Sequence, residues 1–210
     1  MAQSEATVTD GRIRRGDETR RTVLRRAVDL ASVEGLDGVT IGRLAQELSI
    51  SKSGLLAHFG SKEELQLATI RAARAIFALA VVTPALAKPA GMARLRALLE
   101  GWLDYSQGRE FPGGCFFSRA THEYAARPGA VRDALAETDQ EWLVLVAATI
   151  DEARELGEVR ADVDPRQLAY ELDAYLDSAN LRSLLGGDLA VYDLARAAVD
   201  SRLDSVATAG

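Results

Sequence analysis

The stretch SISKSGLLAHFGSKEEL, residues 49–65, decides how this chain is read. Short hydroxyl side chains, two lysines and a histidine crowd around a few apolar residues, the makeup of capped, half-exposed helices. Ser51 is placed to accept from the free N–H groups of a short helix running through about Phe59, which Gly60 breaks. Ser61-Lys62-Glu63-Glu64 has the spacing of a capping box, in which hydroxyl and carboxylate exchange bonds with backbone N–H groups. It opens a longer helix with Leu65, Ala68, Ala72, Ile76 and Leu79 on one face.

Upstream, Ser49-Ile50 is a tight link behind another short helix, Ile41 to about Leu48. Thr40 is its N-cap, and Ile41, Leu44, Ala45 and Leu48 form its inward stripe. Before it, Val23, Leu24, Ala27, Leu30 and Ala31 share one face of a helix beginning near Asp17, and Gly35 is placed to end it. Residues 1–16 have few large apolar groups and are expected to be a flexible arm. A packing helix, a short helix, a tight turn and a second short helix make a helix-turn-helix unit. Ile50 can plug the turn, and Leu55 and Phe59 can anchor the second helix. Ser51, Lys52, Ser53 and Gly54 then occupy its first turn, the part that reaches base edges, and Lys52 can reach a guanine or a phosphate. Ser61 and Lys62 bring free N–H groups, the positive end of a helix dipole and an ammonium together, an anion site suited to DNA phosphate.

The remainder of the 210 residues reads as five more helices, near 91–107, 117–126, 129–156, 165–185 and 189–206, with Pro84 and Pro89 bracketing a loop. With 48% apolar residues, few aromatics and five prolines, the expectation is an all-α protein. A helix-turn-helix DNA-binding domain over 17–65 would precede a larger helical ligand-binding and dimerisation domain over 66–210. The net charge of −6 is unevenly spread: residues 1–60 hold nine basic and eight acidic side chains, a net of +1, and residues 61–210 a net of −7. Seven arginines lie within 12–26. A locally basic head on an acidic body suits a DNA-binding module. No apolar run of 18 residues suggests a membrane span, and the N-terminus lacks the apolar core of a signal peptide, so a cytoplasmic protein is expected. The single cysteine, Cys115, and the lack of a Cys/His cluster point to neither a disulfide nor a metal, and no cofactor is expected.

Residues 20–65 resemble the DNA-binding domain of the TetR (tetracycline repressor) family, in AVDLASVEGLDGVTI, in IGRLAQELSIS and in the HF-x-SKEEL ending. The resemblance implies a transcriptional regulator, a repressor that binds a palindromic DNA operator as a homodimer and is released by a small amphipathic effector. Carried over by position, Thr40 and Arg43 would approach the backbone or groove edge. Ser51, Lys52, Ser53 and Gly54 would face bases, and His58 and Lys62 would touch phosphates. Arginines at 12, 14, 15, 20 and 21 could add attraction from the arm. Leu56 departs from the family, which commonly has tyrosine there as a phosphate contact.

Two apolar stripes, Leu168, Leu172, Leu176, Ala179 and Leu184 on one helix and Leu194, Ala198 and Leu203 on the next, offer a dimer surface as well as core. The effector pocket is expected between about 91 and 180, lined by Trp102, Tyr105, Phe116, Phe117, His122, Tyr124, Trp142, Tyr170 and Tyr175, several of which join an apolar body to a polar handle. Cys115, in the turn FPGGCFF, reads as a buried small hydrophobe. Two other classes compete. A helical enzyme would have to use scattered carboxylates, since the two histidines lie far apart and no glycine-rich phosphate loop is present. A protein-binding helical adaptor would leave the serine-rich second short helix without purpose.

Overall fold

The computed structural model describes the backbone of residues 2–208 and the side chains of residues 16–208. Its helices are α1 (Ala2–Glu34), α2 (Ile41–Glu47), α3 (Lys52–Phe59), α4 (Lys62–Phe77), α5 (Thr83–Leu86), α6 (Met92–Gln107), α7 (Phe116–Tyr124), α8 (Ala130–Glu155), α9 (Pro165–Gly186) and α10 (Val191–Val206). The expected all-α architecture is observed, and the boundaries of α2, α3 and α6 fall within a residue or two of those read from the sequence.

The first helix is longer than expected. Its backbone runs back to Ala2, so the expected arm continues α1 instead of leaving it irregular. Residues 2–16 contain no proline, and each glycine costs a helix only about 1 kcal/mol. The side chains of Arg12, Arg14 and Arg15 lie outside the described residues.

Three capping hydroxyls act as expected: Thr40, Ser51 and Ser61 accept from the N–H groups of Arg43, Gly54 and Glu64. The capping box after Gly60 is only half formed, because the Ser61 N–H donates to the Phe59 carbonyl (2.8 Å) and not to Glu64. The link between α2 and α3 is a Schellman closure. Ser49 takes a left-handed conformation (φ 55) and Ile50 N–H donates back to Ala45 (3.0 Å).

Pro84 and Pro89 do not bracket a loop. Residues Ala78–Val82 form one π-helical turn that joins α4 to α5, and Pro84 sits in the first turn of α5, where no N–H is required of it. The wider turn shifts the helical phase. Val81 becomes the buried residue and Leu79, expected on the buried face, is 71% exposed. The run Lys62–Leu86 is long and apolar enough by length and composition to cross a membrane. Packing explains that composition: α4 lies between α1 and α8, the π turn lies on α6, and Leu65, Ala68, Ile70 and Ala73 are buried.

The body packs α9 against α6, α8 and α10. Leu168, Leu172, Leu176, Ala179 and Leu203, expected to serve a dimer surface as well as core, are fully committed to the core of one chain. On α9 and α10 the large apolar groups left outside are Tyr170, Leu181, Leu184, Leu185 and Leu194, and Val144 on α8, Leu156 and Leu189 are exposed as well. A buried polar cluster ties the body's helices to the FPGG turn. Asn180 Oδ1 accepts from Ser106 Oγ (3.0 Å) and from the Cys115 N–H (3.0 Å), and Ser106 Oγ meets the Tyr192 hydroxyl (2.7 Å).

Head and body share one continuous cluster of buried side chains, from Val23 to Val206. At their joint, Ser32 Oγ accepts from Gly113 N–H (3.0 Å), and a Cβ on Gly113 would run into the Ser32 carbonyl group. Backbone meets backbone there, so no rotamer change can make room. Gly113→Ala is expected to cost about 2–4 kcal/mol and lower Tm by roughly 5–15 °C. Gly42→Ala, where the added methyl meets nothing within 4 Å, should be neutral or stabilising. Thermal melts of both variants test the pair.

Candidate functional site

The candidate DNA-reading face is the start of α3. Leu55 and Phe59 are buried, which turns Lys52, Ser53 and Leu56 outward. Ser51 is occupied as the cap of Gly54 N–H (3.1 Å), with Ser53 Oγ 3.4 Å from its hydroxyl. Lys52 is exposed and makes no ion pair among the described residues. From α1, Arg20 donates to the His58 carbonyl (2.8 Å) and lies over the Phe59 ring (4.6 Å), pinning the end of α3 to the packing helix. His58 itself is exposed.

Several basic groups expected to face DNA already have partners. Arg43 pairs with Glu34 and with Glu47 (3.0 Å), and Arg26 pairs with the same Glu47 (2.6 Å). The hydrogen bonds that Arg43 donates to Glu34 and Glu47 hold its guanidinium firmly charged, and those that Glu47 accepts from Arg43 and Arg26 push its carboxyl down. Lys62 Nζ reaches Asp37 (2.6 Å), which lowers the Asp37 carboxyl. Exposed pairs of this kind are worth about 0–1 kcal/mol, so a phosphate can compete for either cation. Thr40 holds the N-terminus of α2, which leaves its hydroxyl a structural duty as well.

The second candidate site is a cavity of about 550 Å³ among α4, the π turn, α6, α7, α8 and α9. Of the nine residues proposed from the sequence, it brings together Trp102, Phe117, His122 and Trp142. The other five lie elsewhere. Phe116 is fully buried core beneath α7. Tyr105 is buried behind Phe77 (ring centroids 5.4 Å), where burial pushes its hydroxyl well up. The Tyr124 hydroxyl accepts from Gln66 Nε2 (2.9 Å) on the head side of α7. Tyr170 is 67% exposed on α9, and Tyr175 is half-buried away from the cavity. Sequence reasoning missed Phe77 and, above all, the acidic wall: Asp139 and Glu141 on α8, and Asp173 and Asp177 on α9. The i, i+4 spacing of Asp173 and Asp177 puts both on one face, but acids at that spacing read as a solvated surface.

Glu141 is neutralised by Arg74 across the mouth. Asp173 accepts from Trp142 Nε1 (2.9 Å). Burial pushes its carboxyl up to about 6, against the pull of the Trp142 bond and with help from the negative charges of Asp139 and Asp177. His122 Nδ1 must donate to the Ser118 carbonyl (2.5 Å), leaving Nε2 3.8 Å from Asp177. Cys115 lines the cavity with a buried thiol whose pKa burial raises, the reverse of what a thiolate sensor needs.

The turn after α1 rests on the same helix that walls the cavity. Glu123 accepts from Leu36 N–H (2.6 Å) and Asp37 N–H (3.0 Å), and Gln66 donates to the Leu36 carbonyl (3.0 Å). Thus α7 shows Phe117, Thr121 and His122 to the cavity and Glu123 and Tyr124 to the head.

Residues 23–69 match the family described as bacterial regulatory proteins, tetR family, and residues 91–199 match the tetracyclin repressor-like C-terminal domain. The chain belongs to the TetR family of transcriptional regulators. Comparison with curated proteins gave no match. Among solved structures, a TetR transcriptional regulator from Chloroflexus aurantiacus J-10-FL is similar with TM-score 0.82 and 24% identity, covering 93% of this chain and 100% of that one. A transcriptional regulator from Saccharomonospora viridis, in complex with choline, is similar with TM-score 0.71 and 23% identity over 92% and 100% of the two chains. AibR, in complex with isovaleryl coenzyme A and operator DNA, is similar with TM-score 0.69 and 20% identity over 87% and 96%. At these identities the likeness is one of fold.

Asp173 gives a pH test. Its carboxyl titrates near 6 in the folded chain, above the ordinary 3.8, so the folded state holds the proton more tightly than the unfolded state does. The ionised form therefore costs stability above pH about 6, and the cost is relieved as pH falls from 6 towards 4. Asp173→Asn should raise stability at pH 7.5 by about 1–3 kcal/mol, and the gap to wild type should shrink to about a third by pH 4.5 and close towards pH 3.5. Paired melts across pH read the difference, and a constant gap would show that Asp173 is not destabilised by burial.

Proposed function

We propose that the chain acts as a homodimeric repressor, reading a palindromic operator with α3 and releasing it when a small molecule fills the cavity. The observation that carries the reading is the double role of α7, which walls the cavity and supplies the carboxylate that closes the turn between α1 and α2. In the division that follows, residues 17–65 read DNA and residues 66–210 bind effector and partner. The dimer surface uses the exposed leucines of α9 and α10, because regulators of this family act as dimers and those side chains have no cover within one chain. Binding, not catalysis, is the task of the cavity in this reading, and the protein works beside the DNA in the cytoplasm.

Lys52, Ser53 and the backbone near Gly54 are assigned to bases, with Thr40 and Ser51 holding the two short helices in place as caps. Lys62, Arg43 and His58 are assigned to phosphate, the first two after exchanging Asp37, Glu34 and Glu47 for it. One structural neighbour holds operator DNA, which supports this use of the fold. The neighbours' ligands, an acyl coenzyme A and choline, differ in charge and size, so the chemistry of this cavity has to decide its own ligand.

Site selection from random duplexes, followed by anisotropy titrations between 50 and 200 mM salt, tests the DNA assignment. Affinity should fall steeply with salt. Lys52→Ala should cost about 1–3 kcal/mol on the selected site without lowering Tm. Failure to enrich any sequence would sink the reading.

Coupling through α7 has its own signature. Removing the Glu123 carboxylate orphans two backbone N–H groups, Leu36 and Asp37. Glu123→Ala should accelerate hydrogen exchange over residues 35–48 by roughly tenfold or more while exchange in α9 stays unchanged. Unchanged exchange in the head would show that α7 does not hold it.

A further inference from the structure

The cavity's lining is one-sided in charge. Four carboxylates, Asp139, Glu141, Asp173 and Asp177, face one guanidinium, Arg74, which Glu141 already satisfies. An aromatic wall lines the same cavity, its rings arranged edge-to-face about Phe77: Trp142, which also donates to Asp173, at 5.5 Å and Phe117 at 6.0 Å between centroids. Trp102 completes that wall from α6. An aromatic face attracts a cation through its quadrupole, and the attraction grows as water is excluded. An anion would meet Asp139, Asp173 and Asp177 with no free cation to receive it. A neutral apolar ligand would leave Asp173 and its acidic neighbours desolvated and without a counter-charge.

We propose that the cavity is the receptor site for an organic cation, an ammonium compound whose charge lies among Asp139, Asp173 and Asp177 and whose apolar part lies between Phe77, Phe117 and the tryptophans. This deepens the regulatory reading above and rests on it only for the consequence of binding. The raised carboxyl of Asp173 fits the proposal, because a bound cation supplies a counter-charge that the Trp142 hydrogen bond does not. His122 stands at the exposed end, its Nε2 3.8 Å from Asp177.

The chain's two tryptophans, Trp102 and Trp142, both line the cavity, so intrinsic fluorescence reports its occupancy directly. The full-length protein is titrated with phenyltrimethylammonium, with its neutral carbon isostere tert-butylbenzene, and with benzoate. The expected result is a saturable change with the cation, at least tenfold tighter than with the neutral isostere, and no saturation with benzoate. Asp173→Asn and Asp177→Asn should each weaken the cation tenfold or more and leave tert-butylbenzene unchanged. Equal affinity for cation and isostere, a preference for benzoate, or cation affinity that survives both substitutions overturns the proposal. The fluorescence readout needs no DNA, so it stands apart from the regulatory reading. Operator release is then measured on the selected site with saturating phenyltrimethylammonium. Tight cation binding that leaves the operator bound supports the cation site and counts against the release mechanism.

Discussion

At the turn that follows α1, two backbone N–H groups, Leu36 and Asp37, point away from any helix of the head and end on the carboxylate of Glu123. Backbone donors at a turn, outside any helix ladder, need an acceptor, and here a side chain of the body supplies it. Gly35, at φ 92, turns the chain beneath that carboxylate, where a Cβ would have no room. The start of α2, and through it the placement of α3, is therefore set by a residue 87 positions further along the chain. Head and body carry separate family matches but pack as one unit, and a single buried cluster runs through both.

An acidic chain of net charge −6 that binds a polyanion needs an account of its charge, and local pairing provides it. Arg20, Arg26 and Arg43 are drawn into the head's own architecture by the His58 carbonyl, Glu47 and Glu34, and Arg25 ties the head to Glu110 of the body. Those arginines build the shape. Under the proposed function, the field at the α3 face comes from fewer groups, Lys52 foremost, with Lys62 loosely held in reserve. Over a Debye length of about 8–10 Å the body's excess acid is largely screened from that face.

Much of the fold was legible in the sequence because its signals are local. The hydroxyls at Thr40, Ser51 and Ser61 mark helix starts by a chemistry that acts over three residues, and the inward stripe Ile41, Leu44 and Ala45 follows from helical period alone. The path through Pro84 was not legible, since a proline closes a helix in one position and opens one in another, and only the π turn before it selects the second. The cavity was legible in part. Aromatics advertise themselves by size, yet Phe116, Tyr105 and Tyr124 have the same composition as the rings that line it and differ only in which side of α6 or α7 they leave. The acids were the larger omission, because an aspartate on a helix carries no mark of the neighbour that will bury it, and Asp173 is buried by Trp142, thirty-one residues away.

The π turn at Ala78–Val82 holds one residue more than an α-helix would need over the same rise. Everything C-terminal to it is dialled by a fraction of a turn, which is how Val81 comes to lie against Gly101 while Ala78 and Val82 border the cavity. A substitution alters one side chain of such a wall. Loss of a single codon here would restore the regular ladder and change which side chains of this segment border the cavity, while the helix on either side keeps its place. Ligand preference in this architecture thus has a discrete control as well as a graded one, and relatives that differ by one residue in this segment would present differently composed chambers from nearly the same letters.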